Sequence, residues 1–227
     1  MISDNVKRVK ENIIKACETA GRNPQEIELV GVTKTVDEER ILTAIKSGIT
    51  HVGENRVQEY LEKYEMFRNS GVKSSIIGHL QTNKVKYIID KVDLIQSVDS
   101  IKLAKEIGSQ AKKHDKIMDV LVEINIGEEE SKFGISFDKT FEFIHEISEI
   151  DNICVKGIMS IPPILTSESI QREYFRKLYK IYIDIASKKI DNIYMDILSM
   201  GMSSDYCLAI LEGANMVRVG TGIFGKR

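Results

Sequence analysis

Along most of this chain short apolar runs take turns with longer stretches whose apolar residues recur at helical spacing, so strands and helices are expected to alternate. Val9, Ile13, Ala16 and Ala20 share one face of an opening helix over Val6–Ala20, with Ser3 or Asp4 as its N-cap and Gly21 as its stop. The run IELVGV, Ile27 to Val32, then reads as a buried strand leading out to Lys34. VDEERILTAIKSG follows as an amphipathic helix closed by Gly48. The same pair recurs as HVGEN (51–55) before RVQEYLEKYEMFRNSG, KSSIIGHL (73–80) before a helix beginning at Thr82 or Asn83, and LIQSV (94–98) before a helix from Ser100 to Lys113. DVLVEINI (119–126) leads through the loop GEEESKFG to a helix from Phe137 to Ile150. VKGIMSI (155–161) leads through Pro162 and Pro163 to a long helix past Tyr174, Leu178 and Ile185. YMDILSM (194–200) precedes a short helix from Ser204 to Glu212, and MVRVG (216–220) ends the series.

That is about eight strands, each but the last followed by a helix, which is the alternation of an α/β fold of the (β/α)8 TIM-barrel type with an extra N-terminal helix. A doubly wound open sheet has the same alternation, but no G-x-G-x-x-G follows the first strand. The polar residues of interest also stand at the ends of several different strands, as a barrel rim requires. No Gly/Pro/Ser-rich linker interrupts the rhythm, so a single domain over 1–227 is expected.

Composition narrows the classes. The chain is 42% hydrophobic and 29% charged, enough for one substantial core, and its net charge of -2 gives no field for nucleic acid or an anionic membrane. Cys17, Cys154 and Cys207 lie far apart with no zinc-ligand spacing and read as packed thiols in a reducing compartment. The N-terminus has charges at helical intervals, and no segment approaches the roughly 18 consecutive apolar residues of a membrane span. A soluble, cytoplasmic protein is expected.

In a barrel the chemistry-bearing positions lie just past each strand: Lys34, Glu54 and Asn55, His79 and Gln81, Ser97, Asn125, Met159 and Ser160, Ser199 to Ser203, then Arg218, Gly220 and Thr221. Lys34 is either a solvated cap or a nucleophile. The run from Ser199 to Ser204 joins a glycine to hydroxyl donors at a helix start, which suits an anion or a simple N-cap. Gly220, Thr221 and Gly222 offer a second such half-site, and the loops after the last two strands of a barrel are its recurrent phosphate site. Arg218 belongs either to that site or to an ion pair with Asp196 or Glu212. No His/Asp/Glu cluster has ligand spacing, so no metal is implied.

The segments VGVTKT, HVGENRVQEY, IIGHLQTNK, INIGEEESKFG, VKGIMSIPP, LSMGMSSDY and MVRVGTGIFGKR, in this order, resemble the pyridoxal phosphate homeostasis protein family over nearly the whole chain. That family is similar in turn to the N-terminal barrel domain of alanine racemase. The resemblance implies pyridoxal 5′-phosphate as cofactor, held as a Schiff base on Lys34. Its phosphate would lie on Ser203, Gly220 and Thr221 with the Met202 and Gly222 backbone nearby, and Ser199 heads the same loop. Arg218 would face the pyridine nitrogen, Asn55 would lie near the ring hydroxyl, and His79 and Met159 would lie along the ring's surroundings. An arginine there keeps the pyridine nitrogen unprotonated and makes the ring a poor electron sink.

The implied role is intracellular buffering or delivery of the cofactor, by a monomer in transient contact with cofactor-requiring apoenzymes. Little or no amino-acid turnover is expected, because the racemases draw a second base from a further domain, whereas this chain stops at Arg227. The alternative is a slow racemase or related enzyme using Lys34, with Tyr206 or Cys207 recruited from beside the phosphate loop. A third class is a barrel for another phosphate, such as a sugar phosphate or a flavin.

Overall fold

The computed structural model describes residues 1–129, 132–163 and 167–225, so part of the GEEESKFG loop and the terminal Lys226 and Arg227 lie outside the described residues. Its strands are β1 (Glu28–Val32), β2 (His51–Glu54), β3 (Lys73–Ile76), β4 (Leu94–Val98), β5 (Met118–Asn125), β6 (Ile135–Ser136), β7 (Ile153–Ser160), β8 (Ile193–Ser199) and β9 (Met216–Val219). Every pairing is parallel, and because β9 returns to pair with β1 while β4 pairs with β5, the sheet closes into a (β/α)8 barrel. The helices are α1 (Ile2–Ala20), α2 (Glu38–Lys46), α3 (Val57–Ser70), α4 (Ile101–Lys113), α5 (Thr140–Ser148), α6 (Glu168–Ser187), α7 (Tyr206–Leu211) and α8 (Thr221–Phe224).

Closure explains the near-continuous apolar strands, most of them buried on both faces, with β8 keeping Tyr194 and Asp196 exposed. On β5, Met118, Val120, Val122 and Ile124 point outward into the layer beneath the helices. Leu121 points inward to a small apolar plug with Val30, Leu94, Met159 and Met216. Above and below that plug the barrel interior is polar, a feature that decides the site.

Several boundaries differ from the sequence reading. The first helix begins at Ile2, so Met1 occupies the N-cap position and neither Ser3 nor Asp4 caps it; Gly21 ends it in the left-handed conformation, as expected. After β3 the predicted helix is a 3-10 turn over Thr82–Tyr87. Val85, Ile88, Ile89 and Val92 are all buried as their spacing required, but the backbone leaves helical geometry at Ile88. The helix predicted from Phe137 is divided into a 3-10 turn (Phe137–Lys139) and α5, preceded by the unpredicted two-residue β6 on the end of β5. The helix expected from Ser204 starts at Tyr206, and the last strand is followed by α8 after all.

The opening helix seals the back of the last two βα loops. Asn12 Nδ2 donates to the Tyr206 hydroxyl on α7 (3.0 Å), and Asn5 Nδ2 donates to the Ile223 carbonyl on α8 (2.9 Å). The three cysteines are free thiols, with Cys17 and Cys154 buried and Cys207 half-buried. Among the described residues no helix is long and apolar enough to cross a membrane.

One glycine sets the bend of β7. Gly157 has φ 154, stands at a register shift against β8, and a Cβ there would lie 1.8 Å from the Ile197 carbonyl oxygen. Gly157→Ala is therefore expected to cost about 3 kcal/mol or more, read as a lowered urea midpoint at unchanged slope.

Candidate functional site

The C-terminal ends of the strands surround a cavity of about 390 Å³. Lys34, Asn55, Met202, Ser203, Arg218, Gly220 and Thr221 line it together with Ser204, and Val32, Ile77 and Ile161 form its apolar walls. The rim lysine and both halves of the expected anion site thus face one space. That volume falls within the range of about 300–1,000 Å³ typical of small-ligand pockets.

The anion end is built by one hydroxyl. Ser203 Oγ accepts the backbone N–H of Gly220 (3.1 Å) and of Gly222 (3.1 Å), which locks the loop after β8 to the start of α8. With both acceptances made, its own hydrogen remains to be donated outward. Thr221 N–H, at the first helical position between them, has no intrahelical acceptor. Gly201 (φ 92) lets this loop lie against α7, where a Cβ would come within 2.6 Å of Ala209 Cβ. Met202 N–H, expected beside the phosphate, instead donates to Asp205 Oδ1 (2.5 Å), and Gln171 donates to the other carboxylate oxygen (2.5 Å). Burial raises the Asp205 carboxyl and those hydrogen bonds oppose the rise.

At the lysine end the chain turns sharply. Thr35 is left-handed (φ 56), and its N–H donates to Glu59 Oε2 (2.7 Å). Beneath it Lys63 Nζ donates to the Thr33 carbonyl (2.8 Å) and to Glu54 Oε1 (2.7 Å), and the Thr33 hydroxyl donates to that same oxygen (2.7 Å). This buried collar from α3 fixes the top of β1 on which Lys34 stands. Asn55 Oδ1 is buried with no hydrogen-bond partner among the described residues, an acceptor waiting for a donor at the cavity wall.

Arg218 makes neither of the ion pairs weighed for it. Asp196 lies beside Lys156 (3.5 Å), and Glu212 is held by Arg172 (2.8 Å) and Arg176 (2.8 Å). The Arg218 guanidinium is 3% exposed and donates to Ser199 Oγ (2.6 Å) and to the Ser160 carbonyl (2.9 Å). Burial lowers its pKa to about 10 against the pull of Glu123 and Asp205, so it stays cationic at neutral pH. Glu123 faces it from β5, its Oε2 buried with no hydrogen-bond partner among the described residues; burial and then Asp99 push this carboxyl up to about 7, with Arg218 opposing.

The remaining expected residues stand outside the cavity lining. Ser199 is fully buried under Arg218 and donates to Gln96 Oε1. Met159 belongs to the apolar plug. His79 is paired through Nδ1 with Asp99 (3.2 Å) and stacked on Phe133, with ring centroids 3.8 Å apart. Tyr206 is tied to α1, and Cys207 beside it is half-buried. Sequence reasoning missed Glu123, Gln96, Lys63 and Asp205 as site-forming groups. A lone glutamate inside DVLVEINI and a lone glutamine inside LIQSV were the visible signals for two of them. Among the described residues no three His, Cys, Asp or Glu side chains gather as a metal site.

A lysine at the end of β1 and the glycine–hydroxyl loops after β8 and β9, lining one cavity at the C-terminal rim, place the chain among (β/α)8 barrels with a small-ligand pocket at that rim. The chain belongs to the pyridoxal phosphate homeostasis protein family, within the group described as alanine racemase, N-terminal domain, whose model matches residues 5–227. The pyridoxal phosphate homeostasis protein of Aquifex aeolicus (strain VF5) is 44% identical over 224 residues, 99% of this chain and 97% of the relative. PipY of Synechococcus elongatus PCC7942, solved with PLP bound, is 25% identical with a TM-score of 0.86, covering 99% of this chain and 100% of that one. An alanine racemase of Clostridium difficile 630 shares the barrel fold at 20% identity and a TM-score of 0.73, covering 99% of this chain and 57% of that one.

The raised Glu123 carboxyl has a signed consequence. The unfolded chain releases this proton near pH 4.5 and the folded chain near 7, so stability is greatest below that window and falls as pH rises through it. Glu123→Gln, a shape match for the neutral acid, is expected to remove this slope and to be more stable than wild type above pH 7, by on the order of 3 kcal/mol. Urea unfolding between pH 5 and 8 reads both; parallel curves for the two proteins would contradict it.

Proposed function

We propose that this chain binds pyridoxal 5′-phosphate covalently on Lys34 and serves to buffer or deliver it, with little turnover of amino acids. The observation that carries the reading is the single cavity shared by Lys34 and the Ser203–Gly220–Thr221 cradle. The family assignment and the PLP-bound structure of PipY support it.

Pyridoxal phosphate, when bound, supplies an aldehyde that a primary amine captures as a Schiff base with loss of water. Lys34 offers that amine from the rim. Ser203 donates its remaining hydrogen, and Thr221 its hydroxyl and backbone N–H, to the phosphate oxygens at a point where backbone dipoles favour negative charge. Asn55 Oδ1 takes a donor from the ring substituents. Arg218, cationic and pinned by Ser199 and Ser160, presents a proton that it does not give up to the ring nitrogen, which weakens carbanion chemistry at this site. In the same reading the protein acts in the cytoplasm as a monomer and hands cofactor to apoenzymes in transient contact.

Purified wild-type protein loaded with pyridoxal phosphate is expected to carry a visible absorption band that borohydride converts to a permanent adduct on Lys34. Lys34→Ala is expected to lose both, and a mutant spectrum identical to wild type would reject this lysine. With Ser203 and Thr221 both changed to alanine, the preference for the phosphate ester over pyridoxal should fall by about tenfold or more in competition titrations. Unaltered preference would remove the phosphate from this cradle.

A further inference from the structure

Beneath Arg218 a single file of hydrogen bonds descends through the barrel. Arg218 Nη1 donates to Ser199 Oγ (2.6 Å), and Ser199 donates to Gln96 Oε1 (2.8 Å). Gln96 Nε2 approaches Ser75 Oγ (3.3 Å), and Ser75 Oγ lies 2.5 Å from His51 Nε2. His51 Nδ1 lies 2.7 Å from Glu28 Oε1, at the start of β1 and thus at the opposite mouth of the barrel. There Glu28 borders a cleft of about 590 Å³, and Lys73 Nζ stands 3.9 Å from the same carboxylate oxygen. The four intermediate side chains are at most 2% exposed, so no solvent competes for these bonds.

With His51 neutral, the Glu28 end sets one direction on every link. The carboxylate accepts from His51 Nδ1, Nε2 takes the Ser75 hydrogen, and Ser75 Oγ accepts from Gln96 Nε2. Gln96 Oε1 is left to accept the Ser199 hydrogen while Arg218 donates to Ser199 Oγ. The Gln96 amino group thus faces Ser75 and its carbonyl faces Ser199. His51 carries its own hydrogen on Nδ1 and gives it to Glu28, whose carboxylate only accepts. An amide does not take up a proton on one side and release one on the other, so Gln96 blocks proton conduction. What the file can do is orient.

We propose that Ser199, Gln96, Ser75 and His51 are positioning residues that, anchored on Glu28, hold the Arg218 guanidinium in one orientation and link its presentation in the cofactor site to the far mouth of the barrel. The cofactor half of this proposal rests on the function proposed above; the ordering of the hydrogen bonds does not.

Two readouts need no ligand. In histidine- and arginine-¹⁵N-labelled protein, wild type is expected to show His51 as one tautomer with hydrogen on Nδ1, and Arg218 with resolved, slowly rotating Nη signals. Gln96→Glu keeps an acceptor for Ser199, so Arg218 stays ordered. It also takes the Ser75 hydrogen, so His51 must donate from both nitrogens and shift to the imidazolium signature. Gln96→Leu, or Ser199→Ala if that variant folds poorly, is expected to collapse the Arg218 signals. In loaded protein, Gln96→Leu should weaken pyridoxal phosphate retention about tenfold, while Gln96→Glu stays within about twofold of wild type. A wild-type His51 with hydrogen on Nε2, His51 signals unmoved by Gln96→Glu, or Arg218 signals unmoved by Gln96→Leu would overturn the proposal. Wild-type protein that takes up no pyridoxal phosphate would sink the functional reading alone, because both NMR readouts are taken without it.

Discussion

A guanidinium sealed inside a barrel is the constraint on which the upper half of this molecule depends. Taking such a charge from water costs several kcal/mol unless acceptors replace the lost solvation. Here the Ser199 hydroxyl and the Ser160 carbonyl do so, which ties the tops of β7, β8 and β9 to one side chain. Glu123 and Asp205 add negative charge nearby, although burial weakens the tendency of each to ionise. The result is a fixed positive group in a cavity that has apolar walls at Val32, Ile77 and Ile161 and polar ones at Lys34, Asn55 and the last two loops.

The cavity is held from two sides by different physics. On the side of the last two βα loops the work is done by backbone: one serine hydroxyl gathers two N–H groups, a left-handed glycine lets α7 close in, and α1 braces α7 and α8 from behind. On the lysine side it is done by charge, because Lys63 is driven out of water onto Glu54 and the Thr33 carbonyl and stiffens the strand end below Lys34. A lysine in a collar of carboxylates, bonded to the carbonyl of Thr33, and the lysine that follows Thr33 on the cavity rim therefore have opposite duties. The first is structural, and only the second faces the space a ligand can enter.

Much was legible in the chain itself. The period-two and period-3.6 patterns determined the strand–helix alternation, since burying one face of each element leaves few other arrangements. The glycines and hydroxyls around Ser203 and Thr221, and the lysine closing an apolar run, were legible as rim positions, although each residue type also serves as a cap or turn at strand ends, so only their convergence on one cavity singles them out. The tertiary structure alone decided partners. Arg218 ignores the carboxylates that looked available and turns inward to Ser199 and Ser160; His79 turns away to Asp99 and Phe133; Met159 drops into the apolar plug. Gln96, Ser75 and His51, anonymous in sequence, become neighbours only when β2, β3 and β4 stand side by side in a closed ring. Local propensity acts over a few residues and is written in order along the chain, whereas which polar groups meet inside a barrel depends on strand register and closure, which no single segment encodes.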